Sequence, residues 1–161
     1  MRKVKIMFMI CFCLTVSGCD KVRELVKANE HKNEIKTNFT QSQALQDNGN
    51  STEAIGKFKQ IEADPAASTQ QKASALRYIS LSYYELGDYP RSGDYAAKAA
   101  SYYPAGSYDY LVNMADADLM QGRIPTARER LEQAVRINPH QLAANNRSEE
   151  HTSELQSPPL S

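Results

Sequence analysis

Residues 76–104, LRYISLSYYELGDYPRSGDYAAKAASYYP, return 35 positions later as residues 111–139, LVNMADADLMQGRIPTARERLEQAVRINP. Five landmarks hold that offset: Leu76 with Leu111, Gly87 with Gly122, Pro90 with Pro125, Ala99 with Ala134, and Pro104 with Pro139. A period near 35 residues that contains two helical patterns and a turn is the mark of a stacked helical repeat, and it outranks any local motif.

Within the unit, Leu76, Ile79 and Tyr83 fall at i, i+3 and i+7, so they share one helix face. Gly87 stands where that helix should stop, because a left-handed residue there lets the last carbonyls find partners without a Cβ clash. Pro90 suits the first position of a second helix, and Pro104 forbids its continuation. Ser92, Ala96 and Ala99 place small side chains along the second helix, which lets a neighbour approach closely. The later copy repeats this with Leu111, Met114 and Ala115, then Gly122, Pro125, and Ala127, Leu131 and Ala134, closed by Pro139. Asp118 stands where the earlier copy has Tyr83. Neither helix pair can bury its apolar stripe alone, so stacking in series is what folds the chain.

The spacing resembles the tetratricopeptide repeat. Its offsets land on Leu76, Ile79-Ser80, Tyr83, Gly87, Ser92, Ala96, Ala99 and Pro104, and in the next unit on Leu111, Met114-Ala115, Asp118, Gly122, Ala127, Leu131, Ala134 and Pro139. The departures are the missing tryptophan, Ser92 for alanine, Ala96 for an aromatic residue and Asp118 for tyrosine. The resemblance implies an all-α helical solenoid of about three helix–turn–helix repeats.

Residues 1–18 read as a leader. Arg2, Lys3 and Lys5 precede an apolar run from Ile6 to Val16, too short to span a bilayer, which needs about 20 residues, but suited to a signal-peptide core. Val16-Ser17-Gly18-Cys19 resembles the bacterial lipobox. That implies export, cleavage before Cys19 and acylation of Cys19 with palmitate-type chains, which places the protein at a bacterial envelope membrane facing the periplasm. Two or more such chains anchor stably, at about 0.8 kcal/mol per buried CH₂. Cys11 and Cys13 leave with the leader, so Cys19 has no cysteine to pair with. Loss of Arg2, Lys3 and Lys5 takes the formal charge from 0 to −3.

Residues 19–34 are polar and read as a tether behind the anchor, with a first capping helix as the alternative. Residues 35–72 read as a degenerate first repeat. Asn50-Ser51-Thr52-Glu53 fits a capping box, and Ala54, Phe58 and Ile61 make a good second helix. Asn38, Gln41 and Ser42 make the first helix of this repeat poor. Gly49 to Gly87 is 38 residues, which predicts a short insertion in the loop from Ala66 to Gln71. Repeats two and three cover 73–107 and 108–142, and 143–146 opens a further one. Residues 147–161 drop the period, and RSEEHTSELQS from Arg147 to Ser157 resembles the in-frame translation of a short-read sequencing adapter. That resemblance implies an artefactual tail on a truncated gene, with the face of the 126–137 helix left open to fraying and self-association.

No convergent set of reactive groups stands out, so the expectation is a protein that is not an enzyme and carries neither cofactor nor metal. His31, His140 and His151 lie far apart in the pattern. Asp116 and Asp118, two residues apart on a helix, diverge and read as a solvated or groove-lining face. Zero net charge in 161 residues argues against a nucleic-acid binder. All nine tyrosines lie between Tyr78 and Tyr110, more than one helix face can bury; they serve helix seams or an interface.

The resemblance implies a concave groove lined by first helices. In the middle repeat it maps to Ser74, Arg77, Tyr78, Leu81 and Tyr84, and in the next to Asp109, Val112, Asn113, Asp116 and Leu119. Lys36, Phe39, Gln43 and Gln46 form the first repeat's share. The implied function is a membrane-anchored adaptor that binds a peptide of an envelope partner during assembly of an envelope machine, pilus assembly of the Flp or type IV kind being nearest in layout. The alternative is an accessory subunit of a cell-wall hydrolase or protease.

Overall fold

The computed structural model describes residues 2–140, with side chains from Asp20 onward. The leader, Cys19, residues 143–146 and residues 147–161 lie outside the described residues or side chains. Among the described residues six helices follow one another: α1 (Arg2–Asp47), α2 (Ser51–Ala63), α3 (Thr69–Glu85), α4 (Tyr89–Ala100), α5 (Tyr108–Met120) and α6 (Ile124–Ile137). There is no strand among the described residues, and the fold is all-α. Each helix packs chiefly on the one before and the one after it, with a minor contact between α1 and α3. Short connections make such neighbours run in opposite directions.

The turns follow from glycine. Gly87 and Gly122 have φ of 75° and 72°, a region that costs an L side chain energy. At the first, Gly87 N–H donates to the Tyr84 carbonyl at 2.9 Å and Asp88 N–H to the Tyr83 carbonyl at 2.8 Å. At the second, Gly122 N–H donates to Leu119 and Arg123 N–H to Asp118, at 3.0 and 2.8 Å. Both are the paired C-terminal bonds that satisfy orphan carbonyls. Pro90 and Pro125 are the second residues of α4 and α6, one place later than their sequence position suggests. Pro104 does not abut α4. The helix ends at Ala100 and a turn through Tyr103 intervenes, whereas Pro139 directly follows the C-cap Asn138.

Residues 20–34 continue α1 and are exposed along their length. Two local expectations are corrected. Asn50 makes no side-chain cap; the next residue, Ser51, is buried and its hydroxyl donates to Glu85 at 2.6 Å. The capping box is at Ser68 and Gln71, whose side chains bond each other's backbone N–H at the start of α3. The extra residues before Gly87 extend α3 to 17 residues against 13 in α5, rather than lengthening the preceding loop.

Aromatic packing fills the first seam. Phe58 is fully buried, stacks on Tyr78 at 5.0 Å and meets Phe39 edge-on at 5.4 Å. Burying such a side chain contributes about 1.5–3 kcal/mol. Behind the next seam α4 buries Ser92, Gly93, Ala96, Ala99 and Ala100. A Cβ on Gly93 would lie 3.0 Å from Met120 Cβ and 3.4 Å from the Ala117 carbonyl, so α4 and α5 approach as closely as glycine permits.

Asp118 corrects the reading of a solvated or groove-lining face. It is 1% exposed and accepts from Arg123 Nε at 2.9 Å and Arg130 Nε at 2.8 Å. The physical reason is the repeat itself. Tyr83 stacks on Tyr95 at 5.4 Å with the Arg91 guanidinium 4.7 Å above its ring, and the residues 35 positions on are Asp118 and Arg130. An ion pair at the α5–α6 seam stands where the α3–α4 seam has a ring pair. Burial would raise the Asp118 carboxyl, but hydrogen bonds from Arg123 and Arg130 outweigh it and hold the group below the ordinary carboxylate value.

Candidate functional site

A cleft of about 700 Å³ opens between α3 and α5. From α3 it takes Arg77, Tyr78, Leu81 and Tyr84, and from α5 Asn113, Asp116 and Leu119. Helical periodicity brings the α3 group together, since 77, 81 and 84 are spaced by four and three residues. Ser80 and Ser92 form part of the lining, and the Ser80 hydroxyl donates to the Ser92 carbonyl at 2.8 Å. Tyr103 and Met120 line the cleft too. Ser92 and Tyr103 lie on α4 and the turn after it, outside the first helices to which the repeat resemblance assigns the groove, and Ser80 and Met120 join the lining from α3 and α5. The tyrosine cluster was the available signal for Tyr103.

Four expected groove residues are elsewhere. Val112 packs beside Tyr108, Leu111 and Ala134, because its place on α5 faces α6 rather than the cleft. Asp109 is exposed and outside the lining, with its carbonyl accepting from Asn113 Nδ2 at 2.7 Å. Gln43 donates to the Tyr78 hydroxyl at 2.5 Å, and Gln46 is 6% exposed and donates to Glu85 at 3.2 Å. Ser74 lines the cleft, as does Phe39; Lys36 and Phe39 also border a smaller neighbouring one. The structural residues Gly87, Pro104, Gly122 and Pro139 lie in or just beyond the turns.

The electrostatics are uneven. Asp116 is partly buried, and burial pushes its carboxyl above the ordinary value, with the Arg77 charge lowering it in part. No ion pair reaches Asp116 among the described residues. Asn113 is 4% exposed and its Oδ1 has no hydrogen-bond partner. Burial also raises the Tyr103 and Tyr108 hydroxyls. The tyrosines divide between uses: Tyr83 and Tyr108 are buried, while Tyr84 and Tyr89 are about half exposed and meet each other at 5.7 Å. Among the described residues, no three His, Cys, Asp or Glu side chains gather to hold a metal ion.

A second hollow of about 530 Å³ lies along α6, bordered by Leu119, Ile124, Leu131 and Val135. No family model matches the chain, and no curated protein matches it. The class that fold and site define is an all-helical protein, its helices packed in series, with an amphipathic cleft between α3 and α5.

Proposed function

We propose that the chain is a tetratricopeptide-type solenoid lipoprotein, anchored through Cys19 to a bacterial envelope membrane, and that it acts as a periplasm-facing adaptor by binding rather than by catalysis. Its partner is a peptide segment of another envelope protein, taken up during assembly of an envelope machine of the pilus-assembly type. The observation that carries the reading is the 700 Å³ cleft, where aromatic and aliphatic side chains of α3 meet polar side chains of α5. Binding sites of this size with a few convergent polar groups suit a short peptide. Packing in series supports it as well, since each helix pair leans on its neighbours and the cleft lies where two pairs meet.

The test is site-specific photocrosslinking in intact cells, with p-benzoylphenylalanine placed at Tyr84 in the cleft or at Asp94, exposed on α4. An adduct with an envelope protein is expected from position 84 and absent from position 94. Equal labelling from both sites, or none from Tyr84, would refute the adaptor reading. Cys19→Ser should release the protein from the membrane fraction, and continued retention to the same extent would remove the anchor from it.

A further inference from the structure

We propose that the ligand of the α3–α5 cleft carries a basic side chain, lysine or arginine, seated between the Asp116 carboxylate and the Asn113 Oδ1 atom and flanked by apolar residues; this rests on the peptide-binding reading above. Two separate observations converge. Asn113 is 4% exposed and its Oδ1 is a buried acceptor with no donor, while its Nδ2 is already committed to the Asp109 carbonyl at 2.7 Å. An acceptor left bare in this way costs free energy that an incoming N–H recovers. Asp116, three residues on, lines the same cleft and makes no ion pair among the described residues. Arg77 and the tyrosine hydroxyls line the same cleft, yet among the described residues none of them bonds either acceptor, so the pair calls for an incoming donor that is also a cation.

The walls decide between a peptide side chain and a small free amine. Leu81, Tyr84, Leu119 and Met120 line the cleft beside Asp116. Aliphatic and aromatic surface rewards a ligand with its own apolar residues on either side of the charge, and tyrosine faces also attract an alkylammonium or guanidinium. Arg77, on the α3 wall, is the one cation whose charge is felt at Asp116, and it is exposed. It competes with the ligand's cation through space.

The experiment uses the full chain and a position-scanning library of fluorescent heptapeptides, acetylated and amidated so that no terminal charge can substitute for a side chain. Affinity is read by fluorescence anisotropy. Peptides with lysine or arginine at one position between apolar neighbours should bind about tenfold or more tighter than those with norleucine there, a factor of ten being about 1.4 kcal/mol, and glutamate should bind weakest. Asp116→Asn should bring the lysine-to-norleucine ratio close to one while norleucine peptides keep their affinity, which also reports an intact cleft. Asp109→Asn, on the same helix but outside the cleft, should leave the ratio unchanged, and Arg77→Gln should increase it. Equal binding of lysine and norleucine peptides, or a ratio indifferent to Asp116→Asn, overturns this inference alone. Displacement of lysine peptides by equimolar butylammonium overturns the peptide as occupant. Failure of every library member to bind overturns the inference together with the peptide-binding reading.

Discussion

Asp118→Asn tests the seam between α5 and α6. In the fold the carboxylate is 1% exposed and accepts from Arg123 and Arg130 at 2.9 and 2.8 Å. Breaking a fully buried ion pair costs about 3–5 kcal/mol, because the remaining charge is stranded. Here the remaining charges are not stranded: Arg123 and Arg130 keep 48% and 27% of their side-chain surface. Water screens them, and the asparagine oxygen still accepts one bond, so the loss falls to about 2 kcal/mol. In a chain of this size that lowers the melting temperature by about 4–8 °C. The folded carboxyl titrates below its ordinary value, so its contribution is complete above the ordinary carboxylate range and disappears as pH falls through the lower folded value. Urea melts followed by circular dichroism at 222 nm should show the full difference at pH 7 and a shrinking one toward pH 3. The pair Asp118→Tyr with Arg130→Tyr reinstalls the Tyr83–Tyr95 arrangement and should recover at least half of the loss. Identical midpoints at pH 7, or a difference that persists unchanged in acid, would refute the ion-pair account.

Glycines inside two helices separate propensity from packing. Gly56 has open space around a new Cβ, so Gly56→Ala should stabilise by about 0.5–1 kcal/mol, whereas Gly93→Ala forces a methyl against Met120 and Ala117 and should destabilise by about 1 kcal/mol or more in the same melts. Ser68→Ala removes a formed capping box and should cost about 1 kcal/mol, while Asn50→Ala removes no side-chain cap and should be nearly silent. His31 hydrogen-bonds Glu34 at 3.3 Å and Asp64 at 3.2 Å, which raises its pKa. Its link between α1 and α2 is therefore complete below the ordinary imidazole value and is lost as pH rises through the raised one. An NMR titration should show this, with Asp64→Asn moving the midpoint down; an unmoved midpoint would exclude the bridge.

Periodicity made the helices legible because the same physics recurs at fixed spacing. Leu76 and Leu111 are 0% and 4% exposed, Ala99 and Ala134 both 0%, and Gly87 and Gly122 share positive φ. What the sequence did not reveal depends on neighbours distant in the chain. Asn50 and Glu53 satisfy the capping pattern by spacing, yet no side-chain cap forms, and the first turn is tied through the Ser51 hydroxyl to Glu85, 34 residues away. Val112 and Asn113 are adjacent in sequence, and only the packing of α6 decides that one turns to Ala134 and the other to the cleft. Asp118 looked solvated because its arginines lie 5 and 12 residues further on. A charge-bearing residue in an apolar register is ambiguous until its partner is placed.

One departure from the repeat pattern falls on α4, beside the cleft. Counting 38 residues from Gly49 to Gly87 aligns Phe58 with Ala96. Phe58 fills the first seam, packed between Phe39 and Tyr78. Ala96 brings only a methyl group to the equivalent place, and it is bracketed in the chain by Ser92 and Tyr103, both of which line the cleft. Ala96 is 1% exposed and makes none of the ring contacts that Phe58 makes. The chain keeps α4 small, packs it against α5 through Gly93, and leaves Asn113 Oδ1 without a partner and Asp116 without an ion pair among the described residues. Aromatic, aliphatic and acidic groups of α3 and α5 meet at the cleft. On the adaptor reading proposed above, small residues behind and an unsatisfied acceptor in front are what a binding site requires and a packing defect does not.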